Sequence, residues 1–253
     1  MKFIFSISLL FIFFTSNSLL FSQDIPKNED IYDSVLYVKE ISGGIIFHNL
    51  GWGAEFRKGK NITVFKKRLL EFDFVGMKSP KQVKTYNIYF INAKRYVYGK
   101  LNYVYILRGG IGFQKLLNRK PYWGGVELRY FYYGGASLGF AKPVYLYILN
   151  FTSSIYEYEI TTEKYDPEKH FYDNIYGRAP FTKGLEQTKL YPGIYAKFGI
   201  NFEFGLFKSK ISALEIGTVI DFFPKAIPIM AFNNNKNLFV TIYISINFGK
   251  RYN

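Results

Sequence analysis

The chain has 253 residues, of which 49% are hydrophobic and 21% aromatic, with no cysteine and a formal net charge of +14. This length fits a single domain, and the apolar content argues against a wholly disordered protein. A sequence without cysteine excludes disulfides, thiolate zinc sites, a cysteine nucleophile and a lipid-modified N-terminal cysteine.

Residues 1–22 have the pattern of a secretory signal peptide. Lys2 supplies the positive charge, and residues 3–14 form an apolar run of 12 residues, short of the roughly 20 that a membrane-spanning helix needs. Ser22, before Gln23, is small enough for a cleavage site, but Leu20 does not fit, which leaves an uncleaved signal anchor as the alternative. We therefore predict export, a periplasmic segment at 23–40 and a mature domain over 41–253.

From Ile41 onward, apolar and polar residues alternate in short segments that Gly and Pro separate. In the last segment, for example, Leu238, Val240 and Ile242 alternate with Phe239 and Thr241. Period-two alternation predicts strands with one apolar face. The predicted strands lie near 41–57, 62–75, 101–114, 122–133, 136–148, 192–205, 211–222 and 237–248. The predicted fold is all-β, an eight-stranded antiparallel up-and-down transmembrane β-barrel, the smallest closed barrel, with a lumen filled by side chains.

The polar faces of these strands carry single charges of both signs, interleaved with glycine. Such residues suit the narrow lumen of a small barrel, whereas wide aromatic faces suit contact with lipid. The predicted lumen charge network consists of Glu71, Asp73, Arg108, Glu127, Arg129, Lys197, Glu203, Glu215 and Asp221. A soluble sandwich, with its apolar faces packed on each other, is the alternative.

An N-terminus in the periplasm would place the connections 58–61, 115–121, 149–191 and 223–236 outside the cell. The connections 76–100, 134–135 and 206–210 would then be periplasmic. The acid-free segment 76–100 is a predicted basic loop formed by Lys78, Lys81, Lys84, Lys94, Arg95 and Lys100. It is either a solvated loop near anionic headgroups or a docking element for a periplasmic partner or the cell wall. The long loop 149–191 is expected to be functional or disordered.

A second basic group is predicted to form an outer rim that pairs with lipopolysaccharide phosphates. Its members are Arg57, Lys58, Lys60, Lys66, Lys67, Arg68, Lys115, Arg119 and Lys120. The expected partners are outer-membrane lipid, lipopolysaccharide and an envelope protein. Export argues against nucleic acid as the partner of these cations.

The sequence predicts no catalytic residue, cofactor or metal site. The glycine-rich segments lack the spacing of a phosphate-binding loop. His48 is interpreted as a packed side chain of the first strand. His170, beside Glu168 and Asp173, has a metal or catalytic role as its alternative interpretation. A lipid-modifying enzyme would need one of these histidines near a serine and an acid at one rim.

Five segments carry a resemblance to a known class: LGWG at 50–53, EFDFVGMKSPK at 71–81, NRKPYWGGVE at 118–127, GFAKPVYL at 139–146 and INFGKRY at 246–252. With these segments the chain resembles the small outer-membrane β-barrel proteins of Bacteroidetes-type bacteria, loosely akin to PorT-like and OmpA- or OmpW-like barrels. The resemblance implies a non-enzymatic structural or accessory subunit of an envelope machine for secretion or outer-membrane assembly. The alternative is a binding or transport barrel for small apolar ligands.

Overall fold

The computed structural model describes residues 37–90, 92–119, 125–151, 158–205 and 209–253. The predicted signal peptide and most of the segment 23–40 lie outside these residues. Thirteen strands are present in the described residues: β1 Lys39–His48, β2 Gly51–Asn61, β3 Lys66–Met77, β4 Lys84–Thr85, β5 Tyr96–Val97, β6 Asn102–Asn118, β7 Glu127–Pro143, β8 Tyr145–Phe151, β9 Tyr158–Lys164, β10 Ile175–Arg178, β11 Lys189–Glu203, β12 Lys210–Ile227 and β13 Lys236–Tyr252. Among the described residues, no helix is long and apolar enough to cross a membrane.

Eight of these strands close into an antiparallel barrel in the order β1-β13-β12-β11-β7-β6-β3-β2, which confirms the predicted fold class. Closure joins the first barrel strand to the last, with Lys39 opposite Tyr252 and His48 opposite Tyr243. Pairing of the first and last barrel strands leaves the barrel sheet without an open edge. The remaining strands form a three-stranded sheet in the order β10-β8-β9 and a two-stranded sheet of β4 and β5.

The predicted strands are divided wrongly at two places. One predicted strand is in fact two, and two predicted strands are in fact one, so the number of barrel strands is still eight. The predicted strand 41–57 is two strands, β1 and β2, joined by a turn at Asn49 and Leu50. His48 stabilises this turn, because its Nδ1 accepts a hydrogen bond of 3.2 Å from the Leu50 amide. The predicted strands 122–133 and 136–148 are one long strand, β7, which is followed by β8. Gly134 and Gly135, predicted to form a turn, lie in the middle of β7.

The corrected boundaries also change which connections share an end of the barrel. The connections 62–65, 119–126 and 204–209 lie at the end of the barrel where β1 begins and β13 ends, which we call the terminal end. The connections 49–50, 78–101, 144–188 and 228–235 lie at the opposite end, the loop end. The basic loop 76–100 and the long loop 149–191 were predicted at opposite ends, but both lie at the loop end. The predicted outer rim lies at the other end, the terminal end.

The loop end carries folded structure of its own. Strands β8, β9 and β10 form its sheet, and a second buried apolar cluster lies beneath it, formed by Tyr96, Val144, Leu146, Ile148, Tyr165 and Ile175. Tyr96 comes from β5, so this cluster joins the two long connections. We call the described residues of 84–101 and 144–188 the loop unit. Its buried apolar core argues that it is an ordered platform on the barrel.

Candidate functional site

The centre of the barrel lumen is filled by a network of buried charged side chains. Arg57 Nε donates to Glu71 Oε2 at 2.8 Å, and Arg57 Nη2 donates to Glu55 Oε2 and Glu215 Oε1, both at 2.8 Å. Arg108 forms a bidentate pair with Asp221 through bonds of 2.9 and 2.7 Å. Five acidic side chains of the network have no exposed surface: Glu55, Glu71, Asp73, Glu215 and Asp221. Bidentate, fully buried pairs hold their geometry firmly.

Lys197 is the common partner of three carboxylates in this network. Its ammonium nitrogen lies 3.2 Å from Glu55 Oε2, 3.0 Å from Glu71 Oε2 and 3.0 Å from Asp73 Oδ2. The oxygens of these three carboxylates lie within 4.8 Å of one another, close enough to ligate a metal ion together. The Lys197 ammonium occupies the position between them and supplies the positive charge that the cluster needs.

Neutral hydrogen-bond donors add to the network. The Tyr243 hydroxyl donates to Glu215 Oε1 at 2.9 Å, and Asn201 Nδ2 donates to Glu215 Oε2 at 3.0 Å. Buried charges need several hydrogen bonds to offset their lost hydration, and Glu215 receives its bonds from β2, β11 and β13 together. The network therefore joins strands on different sides of the barrel.

Separate layers close the lumen above and below the network. Toward the loop end the interior is packed with buried apolar side chains: Val75, Met77, Val104, Ile106, Tyr191, Phe223, Ile227 and Phe239. Toward the terminal end, Glu40 accepts from Lys67 at 2.8 Å, and Arg251 bridges Glu40 and Glu203. A cavity lined by Glu40, Arg57 and Asn201, among others, has a volume of only about 20 Å³, roughly the space of one water molecule. The described lumen is a packed interior.

The outer surface of the barrel is apolar and carries no carboxylate on its described strands. The acidic residues of the barrel strands all lie on the inward-facing positions: Glu40, Glu55, Glu71, Asp73, Glu127, Glu203, Glu215 and Asp221. The outward-facing positions carry large apolar side chains instead, among them Phe47, Trp52, Phe74, Ile194 and Ile242, which are between 50% and 63% exposed. We call this surface the apolar belt; soluble monomers rarely expose so many large apolar side chains side by side.

A group of cations borders this belt at the terminal end; we call it the basic collar. It consists of Lys39, Lys58, Lys60, Lys66, Arg68 and Lys115, on the adjacent strands β1, β2, β3 and β6. Several of its members lie directly opposite each other: Lys39 opposite Lys60, Lys60 opposite Arg68, and Lys66 opposite Lys115. Like charges in opposite positions destabilise a sheet. An anionic partner on the outer surface would relieve this repulsion.

No protein-family model matches the chain, and no curated protein matches it significantly. Among solved structures it is similar to Ail, the attachment invasion locus protein of Yersinia pestis, with 9% identity and a TM-score of 0.40 over 86% of this chain and all of Ail. The complex of Ail with the heparin analogue sucrose octasulfate matches with 10% identity and a TM-score of 0.41, over 86% of this chain and 100% of Ail. Neisserial surface protein A matches with 10% identity and a TM-score of 0.37, over 85% of this chain and 96% of that protein. At these identities and TM-scores, the likeness carries no information on what this chain binds.

The structure places the nine predicted lumen residues in three groups. Glu71, Asp73, Arg108, Lys197, Glu215 and Asp221 belong to the central network. Glu203 lies nearer the terminal end and pairs with Arg251. Glu127 and Arg129 form an ion pair with each other. Sequence reasoning missed five lumen residues, although period-two alternation places each of them on the inward face of its strand: Glu40, Glu55, Arg57, Lys67 and Arg251.

The predicted outer rim divides between the two surfaces of the barrel. Arg57 and Lys67 were assigned to the rim, but both are buried in the lumen, where they pair with acids. Lys58, Lys60, Lys66, Arg68 and Lys115 belong to the basic collar, and Arg119 lies at the same end, 5.0 Å from the Phe65 ring. Lys120 lies outside the described residues.

The six cations of the basic loop do not form one site. Lys78, Lys81, Lys84, Lys94 and Arg95 are exposed, whereas Lys100 is 4% exposed and donates to Gln82 Oε1 at 3.0 Å. Burial, together with the nearby charges of Lys78 and Lys84, lowers the pKa of Lys100 to about 8. The loop is thus partly a structural element of the loop unit.

His170 is buried in the loop unit and tied to its own neighbours. Its Nε2 lies 3.2 Å from Glu163 Oε2, and its Nδ1 accepts from the Asp166 amide at 3.0 Å. The hydrogen bond from the Thr161 hydroxyl, followed by those from Asn150 and His170, lowers the pKa of Glu163. Both ring nitrogens are therefore used in local structure, with Glu163 rather than the predicted Glu168 or Asp173 as the acidic neighbour.

Proposed function

We propose that the protein is an integral outer-membrane β-barrel that acts without catalysis, as a structural or accessory protein. The observation that carries this proposal is the apolar belt without carboxylates. In water, such a surface would drive aggregation, whereas in a bilayer it is the expected surface of a closed barrel. The basic collar borders the belt at the height where lipid headgroup phosphates would meet it.

The orientation that we propose places the terminal end in the periplasm. Outer-membrane barrels combine short periplasmic turns with longer extracellular loops. The connections at the terminal end span 62–65, 119–126 and 204–209, whereas the connection 144–188 at the loop end includes three strands. In this orientation the loop unit faces the outside of the cell, together with both the basic loop and the long loop.

The filled lumen favours a structural role over transport. The alternative, a binding or transport barrel for small apolar ligands, requires an apolar cavity inside the barrel or a passage through it. The central network and the layer of Val75, Phe223 and Phe239 occupy those positions. What the barrel offers to other molecules is therefore its outer surface and its loop unit.

The belt predicts that Trp52 contacts lipid tails. In a Trp123→Phe variant, Trp52 is the single tryptophan left of the chain's two, and it is 63% exposed on the outer face of β2. In vesicles of brominated phospholipid we expect strong quenching of its fluorescence relative to vesicles without bromine. Aqueous iodide should quench it only weakly. Weak quenching by both reagents would mean that Trp52 is buried against protein, and strong quenching by iodide alone would mean that it faces water; either result would contradict the membrane barrel.

We further propose that the loop unit is the docking surface for an envelope protein. Exposed aromatic residues cluster there: Tyr172 stacks on Tyr98 at 3.9 Å, and Phe232 lies 6.0 Å from Tyr98 on the neighbouring connection. Tyr172 is 53% and Phe232 67% exposed. Exposed aromatic residues on a rigid base are the residues that most often anchor protein interfaces.

A photo-crosslinking amino acid at Tyr172 tests this role in living cells. We expect it to trap one envelope protein, whereas the same amino acid at Ile242, in the middle of the belt, should trap lipid alone. Both variants replace exposed side chains, so each should fold like the unmodified protein. Absence of any protein adduct at Tyr172 would contradict the accessory role and leave the membrane barrel itself unaffected.

A further inference from the structure

A cleft on the outside of the barrel lies at the loop end of the apolar belt. Its floor is formed by outward-facing residues at the ends of β6 and β7, where Tyr103 lies opposite Lys142. Its wall is the segment that follows β10. The Ala179 amide donates to the Tyr145 carbonyl oxygen at 3.1 Å, and the Phe181 ring packs edge-on against Tyr103 at 5.9 Å. The loop unit thus folds down over the barrel wall at this point.

The cleft contains a lysine that is largely covered by its neighbours and has no acidic partner. Lys142 is 3% exposed, and among the described residues no carboxylate and no hydrogen-bond acceptor contacts its nitrogen. Its ammonium instead lies 4.5 Å from the centre of the Phe181 ring and 5.4 Å from that of Tyr103. Aromatic faces stabilise a cation only partly, and a buried charge needs a counter-charge. The surroundings of Lys142 therefore favour the binding of an anion.

Two further cations line the same cleft, and no acid does. Lys94 comes from the basic loop and Arg178 from the end of β10, and both are exposed. An arginine fork and two ammonium groups around one space provide the donors that a phosphate group requires. Tyr103, Tyr105 and Phe181 supply apolar walls beside these donors.

We propose that this cleft binds the phosphate of an anionic glycolipid in the leaflet next to the loop end. The inference rests on the proposed membrane insertion, because only then do the acyl chains of such a lipid lie along the belt below the cleft. Such a lipid fits both features of the cleft. Its phosphate would bind Lys142, Arg178 and Lys94, and its acyl chains would contact the outward apolar face below Tyr105. In the orientation proposed above, the lipid is the lipopolysaccharide of the outer leaflet. The interaction that the sequence predicted for the outer rim is thus assigned to different residues, at the other end of the barrel.

Native mass spectrometry of the folded protein in detergent tests the assignment. The probes are diphosphorylated lipid A, the same lipid without its phosphates, and inorganic phosphate. We expect a lipid A adduct that weakens about tenfold in Lys142→Met and in Arg178→Gln, since each removes a charged hydrogen-bond donor. Lys189→Met is the matched control, because Lys189 is an exposed cation at the loop end outside the cleft, and it should bind as the unmodified protein does.

Three results would overturn the assignment. The first is equal lipid A binding by the unmodified protein and by both cleft variants. The second is equal binding of lipid A with and without phosphates. The third is binding of inorganic phosphate that the cleft variants lose, which would show a site for small anions. Arg178 is exposed, so Arg178→Gln keeps the test valid should Lys142→Met fail to fold. Absence of Trp52 quenching by brominated lipid would instead refute the membrane insertion on which the inference rests.

Discussion

Replacing Lys197 with methionine is expected to destabilise the folded barrel by about 3–5 kcal/mol, the usual effect of removing one partner from a buried ion pair. The variant keeps nearly the same side-chain volume and loses the charge. Glu55, Glu71 and Asp73 would then face one another without the ammonium that lies within 3.2 Å of each. The measurement is the urea concentration at which the compact form, seen as faster migration of unboiled protein on a denaturing gel, is lost.

Two further variants separate loss of charge from loss of packing. Lys58→Met removes a cation from the exposed basic collar, and we expect it to unfold within about 0.5 kcal/mol of the unmodified protein. A triple variant, with Glu55→Gln and Asp73→Asn added to Lys197→Met, removes two of the negative charges that lost their cation. We expect it to regain most of the lost stability. A Lys197→Met protein as stable as Lys58→Met would show that the network does not hold the lumen together.

Substitution of Gly135 by alanine is the second change with a large expected effect. A Cβ atom at this position would lie 2.2 Å from the Gly109 carbonyl oxygen of the neighbouring strand β6, far inside van der Waals contact. Because the obstacle is backbone, the pairing of β6 with β7 must shift to make room. We expect a loss of about 1–3 kcal/mol or more, measured by the same urea series.

The adjacent glycine provides the control. A Cβ atom at Gly134 would point outward, with its nearest neighbour, the Tyr195 carbonyl oxygen, at 3.8 Å. Gly134→Ala should therefore fold normally. If the two glycines formed the predicted turn, alanine at either position would disturb it to a similar degree. Equal disturbance by both variants would favour the turn, and equal tolerance would contradict the close approach of β6 to Gly135.

The sequence predicted the kind of fold and the inward face of most strands, because alternation fixes which residues share a face even when the ends of a strand are uncertain. Asp221 and Lys197 could be assigned to the lumen in this way. The ends of strands were harder to predict, since glycine serves equally in a turn and at a close approach between strands. Gly134 and Gly135 were predicted to form a turn for that reason, whereas the actual turn at Asn49 and Leu50 was included in the predicted strand 41–57.

The partners within the site could not be predicted from sequence. Which carboxylate meets Lys197 depends on the register of β2, β3 and β11 around the closed barrel, and alternation carries no information on register between strands that do not pair. The cleft around Lys142 could not be predicted from the sequence for a further reason. Its wall comes from the segment after β10, and only the folding of the loop unit brings Phe181 onto Tyr103.

The ion pairs of the lumen connect parts of the chain that are synthesised far apart. Lys197 and Glu55 are 142 residues apart, and Arg57 and Glu215 are 158 apart. A partly assembled sheet of β1, β2 and β3 would carry Glu55, Glu71 and Asp73 with Arg57 as the single cation of the central network on those strands. This leaves unpaired negative charge, which hydrocarbon does not tolerate. In the proposed membrane barrel, the early strands would therefore stay hydrated until β11 and β12 arrive, and we expect insertion and closure to take place together. The proposed outer-membrane barrel would then require a nearly complete chain at the membrane surface before it inserts.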